Sequence, residues 1–113
     1  MSDEELAKEY IREVAKDFGD EIINGIGGGS SARMCDAVCL PLQGYLSAIE
    51  GIETKAVHGD FKLPSGQTLE HWWLVLPDGE ILDPTADQLE AHGYPRLPRV
   101  YVGKRPSFYP DGV

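Results

Sequence analysis

The chain has 113 residues, 42% hydrophobic and 26% charged, a composition that fits one folded domain with a modest core and excludes a disordered segment. Its longest apolar run, residues 72–76, is far short of a membrane span, and Asp3, Glu4 and Glu5 stand where a signal peptide carries basic residues. Nineteen acidic against ten basic side chains give a formal charge of −9, and the only basic concentration, Arg96, Arg99, Lys104 and Arg105, is spread through a Pro-rich tail; this argues against nucleic acid and against a membrane as partners.

Ser2-Asp3-Glu4-Glu5 matches a capping box, and after it Leu6, Tyr10, Val14 and Phe18 recur every four residues, with Ile11 and Ala15 widening the stripe. This predicts an amphipathic helix that can run on through Ile22 and Ile23. Residues 24–29 contain four glycines and read as a loop. Without a preceding strand or a Gly-Lys-Ser/Thr sequence, that loop does not read as a phosphate site. Ser30 or Ser31 can cap a second helix, with a stripe of Met34, Val38, Leu42, Tyr45, Leu46 and Ile49 and a stop at Gly51. Pro41 is expected to kink or divide it. This second helix is apolar enough to be the central, buried one.

From Lys55 the period changes to two, which predicts strands near 55–63, 68–76, 80–84 and 99–104, with an irregular stretch or short helical turn over 86–98. The fold class is therefore α+β: an N-terminal helix and a central Cys-bearing helix packed on an antiparallel sheet of about four strands. One domain is expected over 1–113, with the helix and Gly-rich loop in 1–29, a core in 30–90 and a Pro-rich segment in 91–113. That last segment could wrap the sheet, cover a cleft or mediate assembly.

Pro77-Asp78-Gly79 suits a three-residue hairpin loop, a type I turn closed by glycine. If Leu76 pairs with Glu80, His71 falls opposite Thr85 and Asp83 opposite Trp73. His71 and Asp83 are then diagonal neighbours on one face. A two-residue Asp-Gly loop would put Asp83 on the other face; the three-residue register is preferred. Trp72 and Trp73 point to opposite faces, one toward the core and one toward a cleft. His58 and His92 read as ordinary surface or core residues.

A carboxylate beside an imidazole fixes its tautomer and stabilises its charged form. A cysteine near a helix N-terminus facing such a pair has its thiolate favoured by the helix dipole and by the imidazolium. Cys35, His71 and Asp83 form such a nucleophile–base–orienter set. Cys39 lies one turn on, just before Pro41, and competes for the nucleophile's place. Two cysteines four apart on a helix make a poor disulfide and imply free thiols in a reducing compartment, the cytoplasm. The same pair with a histidine could bind zinc, but the spacing is not that of a zinc knuckle and no fourth ligand stands out.

Cys35, then Gly51-Ile52, Val57-His58-Gly59, His71-Trp72-Trp73 and Asp83-Pro84-Thr85 together resemble the transglutaminase-like branch of the papain-like cysteine enzymes, and the run from Asp83 to Gln88 resembles small phage and bacterial members. The resemblance spans roughly residues 30–90. It implies a thiol nucleophile at Cys35, a base at His71 and an orienting carboxylate at Asp83, acting on a protein or peptide amide through a thioester, with no metal or organic cofactor. The distance to Gly51-Ile52 fits Cys35 better than Cys39, since the family leaves about four helical turns there. The backbone N–H of Cys35 is a candidate oxyanion donor, and hydrolysis is preferred over cross-linking because no dedicated amine site is visible. The alternative from another class is a non-enzymatic interaction protein on the same fold, phage-encoded for instance, which would tolerate loss of Cys35.

Overall fold

Ser2 sets the start of the first helix: its hydroxyl accepts from Glu5 N–H at 3.2 Å and its carbonyl from Leu6 N–H at 3.0 Å, satisfying amides that a helix end leaves open. In the computed structural model, which describes residues 2–25 and 35–112, this helix α1 spans Asp3–Gly25. It includes Asn24 and Gly25, which the glycine count places in the loop. Residues 26–34, with the expected caps Ser30 and Ser31 and the stripe residue Met34, lie outside the described residues.

The second helix, α2, spans Cys35–Glu50 and buries Val38, Cys39, Leu42 and Leu46. Pro41 does not divide it: the helix is continuous through that position. Pro41 is exposed and lies in the second turn of α2, where its missing N–H leaves only the Ala37 carbonyl without its helical donor. Gly51, at φ 66°, turns the chain so that Ile52 N–H reaches back to the Leu46 carbonyl at 2.9 Å, the glycine stop expected at this end.

Four strands follow: β1 (Lys55–Lys62), β2 (Thr68–Val75), β3 (Ile81–Asp83) and β4 (Tyr101–Gly103), paired antiparallel in chain order. A 3₁₀ helix, Ala86–His92, occupies the stretch before β4. The molecule is thus α+β, with α1 and α2 on one face of an antiparallel meander. Leu42, Leu46, Leu74, Leu82, Val100 and Val102 form the core beneath the helices. The other face carries a second cluster around Val57, Phe61, Trp73, Ile81, Leu89 and Tyr109. The C-terminal segment therefore wraps the sheet on the face away from the helices. Among the described residues no helix is long and apolar enough to cross a membrane.

Two parts of the expected stripes fail to reach this core. Leu6 and Tyr10 are about half exposed, and Ile49 about two-thirds. A 23-residue helix is about 35 Å long, more than the short strands can cover, so its first two turns overhang. There Lys8 reaches Asp78 and Glu80 on the hairpin instead. Ile49 lies in the last turn of α2, beyond Leu46.

The hairpin loop needs its glycine. Gly79 has φ 90° and open space where a Cβ would sit, so the cost of a side chain there is conformational alone. Gly79→Ala should lower stability by about 1–2 kcal/mol, read as a shifted urea midpoint with an unchanged slope; an unshifted midpoint would show that the loop relaxes to another turn.

Candidate active site

The register of the β2–β3 hairpin decides which residue His71 meets. Leu76 N–H donates to the Glu80 carbonyl at 2.8 Å and Gly79 N–H to the Leu76 carbonyl at 2.9 Å, and Leu74 pairs with Leu82 and Val75 with Ile81. This is the three-residue register expected from Pro77-Asp78-Gly79. Alternation along β2 sends Trp72 and Leu74 toward the helices and His71, Trp73 and Val75 to the opposite face. Asp83, two residues from Ile81, shares that face, and His71 Nε2 lies 2.6 Å from Asp83 Oδ2, both side chains fully buried.

Asp83 is held from three directions. Oδ2 also accepts the Tyr109 hydroxyl at 2.5 Å, and Oδ1 accepts the backbone N–H of Thr85 at 3.0 Å. The second bond is an Asx-type turn, in which an aspartate bonds the backbone two residues on. It explains the local sequence: Pro84 fixes the turn and Thr85 supplies the donor. Three donors thus satisfy a carboxylate that has no access to water.

Pro84 has a further consequence. In this register it stands opposite Trp72, and it has no N–H to offer. The Trp72 carbonyl instead accepts from the Cys39 thiol at 3.5 Å. The β2–β3 ladder ends there, and α2 approaches β2 at that point.

The two thiols are both free but differ in environment: Cys35 is half-buried and Cys39 fully buried. Burial, then the nearby Asp83 charge, push the Cys39 thiol well above its ordinary value. Cys39 is a packed, bonded core residue. Cys35, in the first described turn of α2, lies near the His71 imidazole and favours its charged form. In that turn Ala37 N–H is bonded by the Asp36 carboxylate at 2.9 Å.

Burial alone would lower the His71 pKa. It is outweighed by the charge and hydrogen bond of Asp83, with smaller contributions from Cys35, and His71 is pushed up to about 10. The imidazole is therefore charged at neutral pH, and its Nε2–H donates to Asp83. Nδ1, the other ring nitrogen, is buried and has no hydrogen-bond partner among the described residues. The ring is walled by Phe61, edge-on at 5.7 Å, and by Trp73, stacked at 6.3 Å. Burial and the Asp83 carboxylate likewise push the Tyr109 hydroxyl far above its usual range.

The structure thus brings Cys35, His71 and Asp83 together, and it places Cys39 in the core. His58 is half-exposed on β1, where its ring lies 4.6 Å from that of Trp72; His92 ends the 3₁₀ helix. Among the described residues no three metal-ligating side chains gather into a metal site. Tyr109 is the member that sequence reasoning missed. Phe108 beside it looks equivalent in the sequence, and only the fold distinguishes the hydroxyl that reaches Asp83. No protein-family model, curated protein or solved structure matches the chain.

Proposed function

We propose that this chain is a thiol-dependent amide-processing enzyme on a papain-like, transglutaminase-like core, working in the cytoplasm. The observation that carries the reading is the fully buried His71–Asp83 pair, 2.6 Å apart, with the half-buried thiol of Cys35 interacting with the same imidazole. Buried charged pairs are costly to build and weak evidence for stability alone. A perturbed histidine bonded to a carboxylate and close to a thiol is the arrangement that nucleophilic catalysis uses.

An imidazolium beside a thiol favours the thiolate, and Nδ1 is the ring nitrogen free to exchange that proton. Cys35 Sγ attacks the amide carbonyl carbon, forming a C–S bond and placing negative charge on the carbonyl oxygen. The Cys35 backbone N–H is the candidate donor to that oxygen. His71 gives its proton to the departing nitrogen, the C–N bond breaks, and a thioester remains. Neutral His71 then takes a proton from water, whose oxygen attacks the thioester; the acid leaves and the proton returns to the thiolate–imidazole pair. Throughout, Asp83 keeps the ring oriented and its charged form stabilised.

The test is alkylation of the native protein by iodoacetamide from pH 4 to 9, with Cys35 and Cys39 mapped separately, followed by assay of ammonia or amine release from glutamine-containing peptides. Cys35 should label fast below pH 7 and Cys39 only on unfolding. If Cys35 labels no faster than a free thiol, the enzyme reading loses its nucleophile and an interaction protein on this fold becomes the better account.

A further inference from the structure

Asp83 Oδ2 accepts two hydrogen bonds, and only one comes from the pair that the proposed chemistry uses. The second donor, Tyr109, arrives from a separate part of the chain, 26 residues on. Its ring is 4% exposed and lies among Phe61 at 5.1 Å, Trp73 at 5.2 Å and Phe108 at 5.3 Å. The segment that carries it is seated closely. Tyr109 N–H bonds the Pro106 carbonyl at 3.0 Å, and Arg105 pairs with Asp111 at 2.9 Å.

Two glycines let this segment approach the sheet. A Cβ on Gly59 would stand 2.7 Å from Pro110 Cγ, and one on Gly112 would stand 2.8 Å from Val57 Cβ and 3.1 Å from Trp73 Cζ2. Neither has a left-handed φ, so space and not backbone conformation is what glycine supplies here. The fold keeps room for the segment on both of its flanks.

We propose that Tyr109 is a positioning residue: seated by the C-terminal segment, its hydroxyl fixes the Asp83 carboxylate and shares its charge, and so sets how strongly Asp83 holds His71. A phenol has one hydrogen to give, and here it goes to the same oxygen that His71 uses. A carboxylate with two donors on one oxygen is oriented more tightly than with one, and its charge is divided between them. The proposal deepens the amide-processing reading, and rests on it only for its effect at Cys35. The titratable groups around the pair are Cys35 and Cys39 from α2, Tyr101 from β4 and Tyr109 itself.

The test separates the two claims. With the thiol removed by Cys35→Ala, the imidazole titration of His71 is followed by nitrogen-15 NMR with and without Tyr109→Phe. Phenylalanine keeps the ring packing and removes only the hydroxyl. Losing a bond to a charged group should concentrate the Asp83 charge on His71, raise its midpoint by about half to one pH unit and move the Nε2 proton resonance. A midpoint and resonance unchanged in Tyr109→Phe would overturn the proposal, since a ring that only packs is conserved in that variant. If the double variant does not fold, Gly112→Ala in the Cys35→Ala background serves instead. Its Cβ must lift the segment from Val57, and the same upward shift is expected; no shift overturns the proposal. With Cys35 restored, the pH profile of its alkylation should move with His71. A shift at His71 without one at Cys35 supports the role of Tyr109 and counts against the thiol chemistry.

Discussion

Replacing His71 by Gln should slow alkylation of Cys35 at pH 6 by between about 10- and 100-fold, with glutamine-peptide turnover falling further, by about 10²–10⁴-fold. Glutamine suits this test because it can still donate to Asp83 while remaining neutral at every pH, so the buried carboxylate keeps a partner and the fold is retained. The size of the labelling effect follows from the reacting species. A thiol with the usual value near 8.5 is less than about 1% thiolate at pH 6, so losing the imidazolium can remove nearly all of the reactive form. The full factor is not expected, because a thiolate of lower basicity is also a weaker nucleophile. Turnover falls further than labelling because amide cleavage needs His71 twice, as acid to the leaving nitrogen and as base to water, whereas alkylation needs only the sulfur. Cys39 is an internal control: it is fully buried and bonded to the Trp72 carbonyl, so its labelling reports unfolding. Equal Cys35 rates in parent and variant, with Cys39 silent in both, would sink the thiol–imidazole pair.

The parts of this site that local chemistry determines could be read from the sequence. Pro77-Asp78-Gly79 favours the three-residue loop over a two-residue one, the loop sets the register, and the register puts His71 and Asp83 on one face. The strand boundaries followed from alternation, to within a residue or two, because both faces of the sheet are covered and each slip would expose an apolar side chain. What stayed open depended on distant packing. Cys35 and Cys39 are equivalent by helical spacing, and only the approach of α2 to Trp72 buries one and leaves the other half-buried. Leu6 and Tyr10 satisfy the periodicity of α1 but overhang a sheet too short to cover them. Tyr109 sits in a segment without periodicity, and its partner is fixed by the seating of that segment between Gly59 and Val57, which no short-range pattern encodes.

Stability should fall as pH rises from about 6.5 to about 10, and Asp83→Asn should abolish that fall and instead lose stability as pH drops below about 6.5. His71 has a folded value of about 10 against 6.5 unfolded. Below pH 6.5 both states carry the proton and the stabilisation from the ion pair is fully present. Between the two values the folded state keeps a proton that the unfolded state has released, so stability declines by up to about 1.4 kcal/mol per pH unit, a cumulative loss on the order of 5 kcal/mol. Above pH 10 that contribution is gone. A domain of this size holds about 5–15 kcal/mol in total, so the decline should dominate a series of urea titrations across the window. In Asp83→Asn the imidazole stays buried with its anion removed, and burial then favours the neutral ring. Its folded value drops below 6.5, so the variant should lose stability as pH falls through 6, the opposite of the parent. At pH 6.5 the substitution itself should cost about 3–5 kcal/mol, as expected when one partner of a buried pair is removed. Parallel stability–pH curves for parent and variant would mean that His71 is neutral in the folded protein, and the charged His71–Asp83 pair would have to be abandoned. An alkaline decline in the parent that is replaced by an acid decline in the variant would establish a buried imidazolium that the fold maintains at the expense of its alkaline stability, next to a thiol for which that charge has a chemical use.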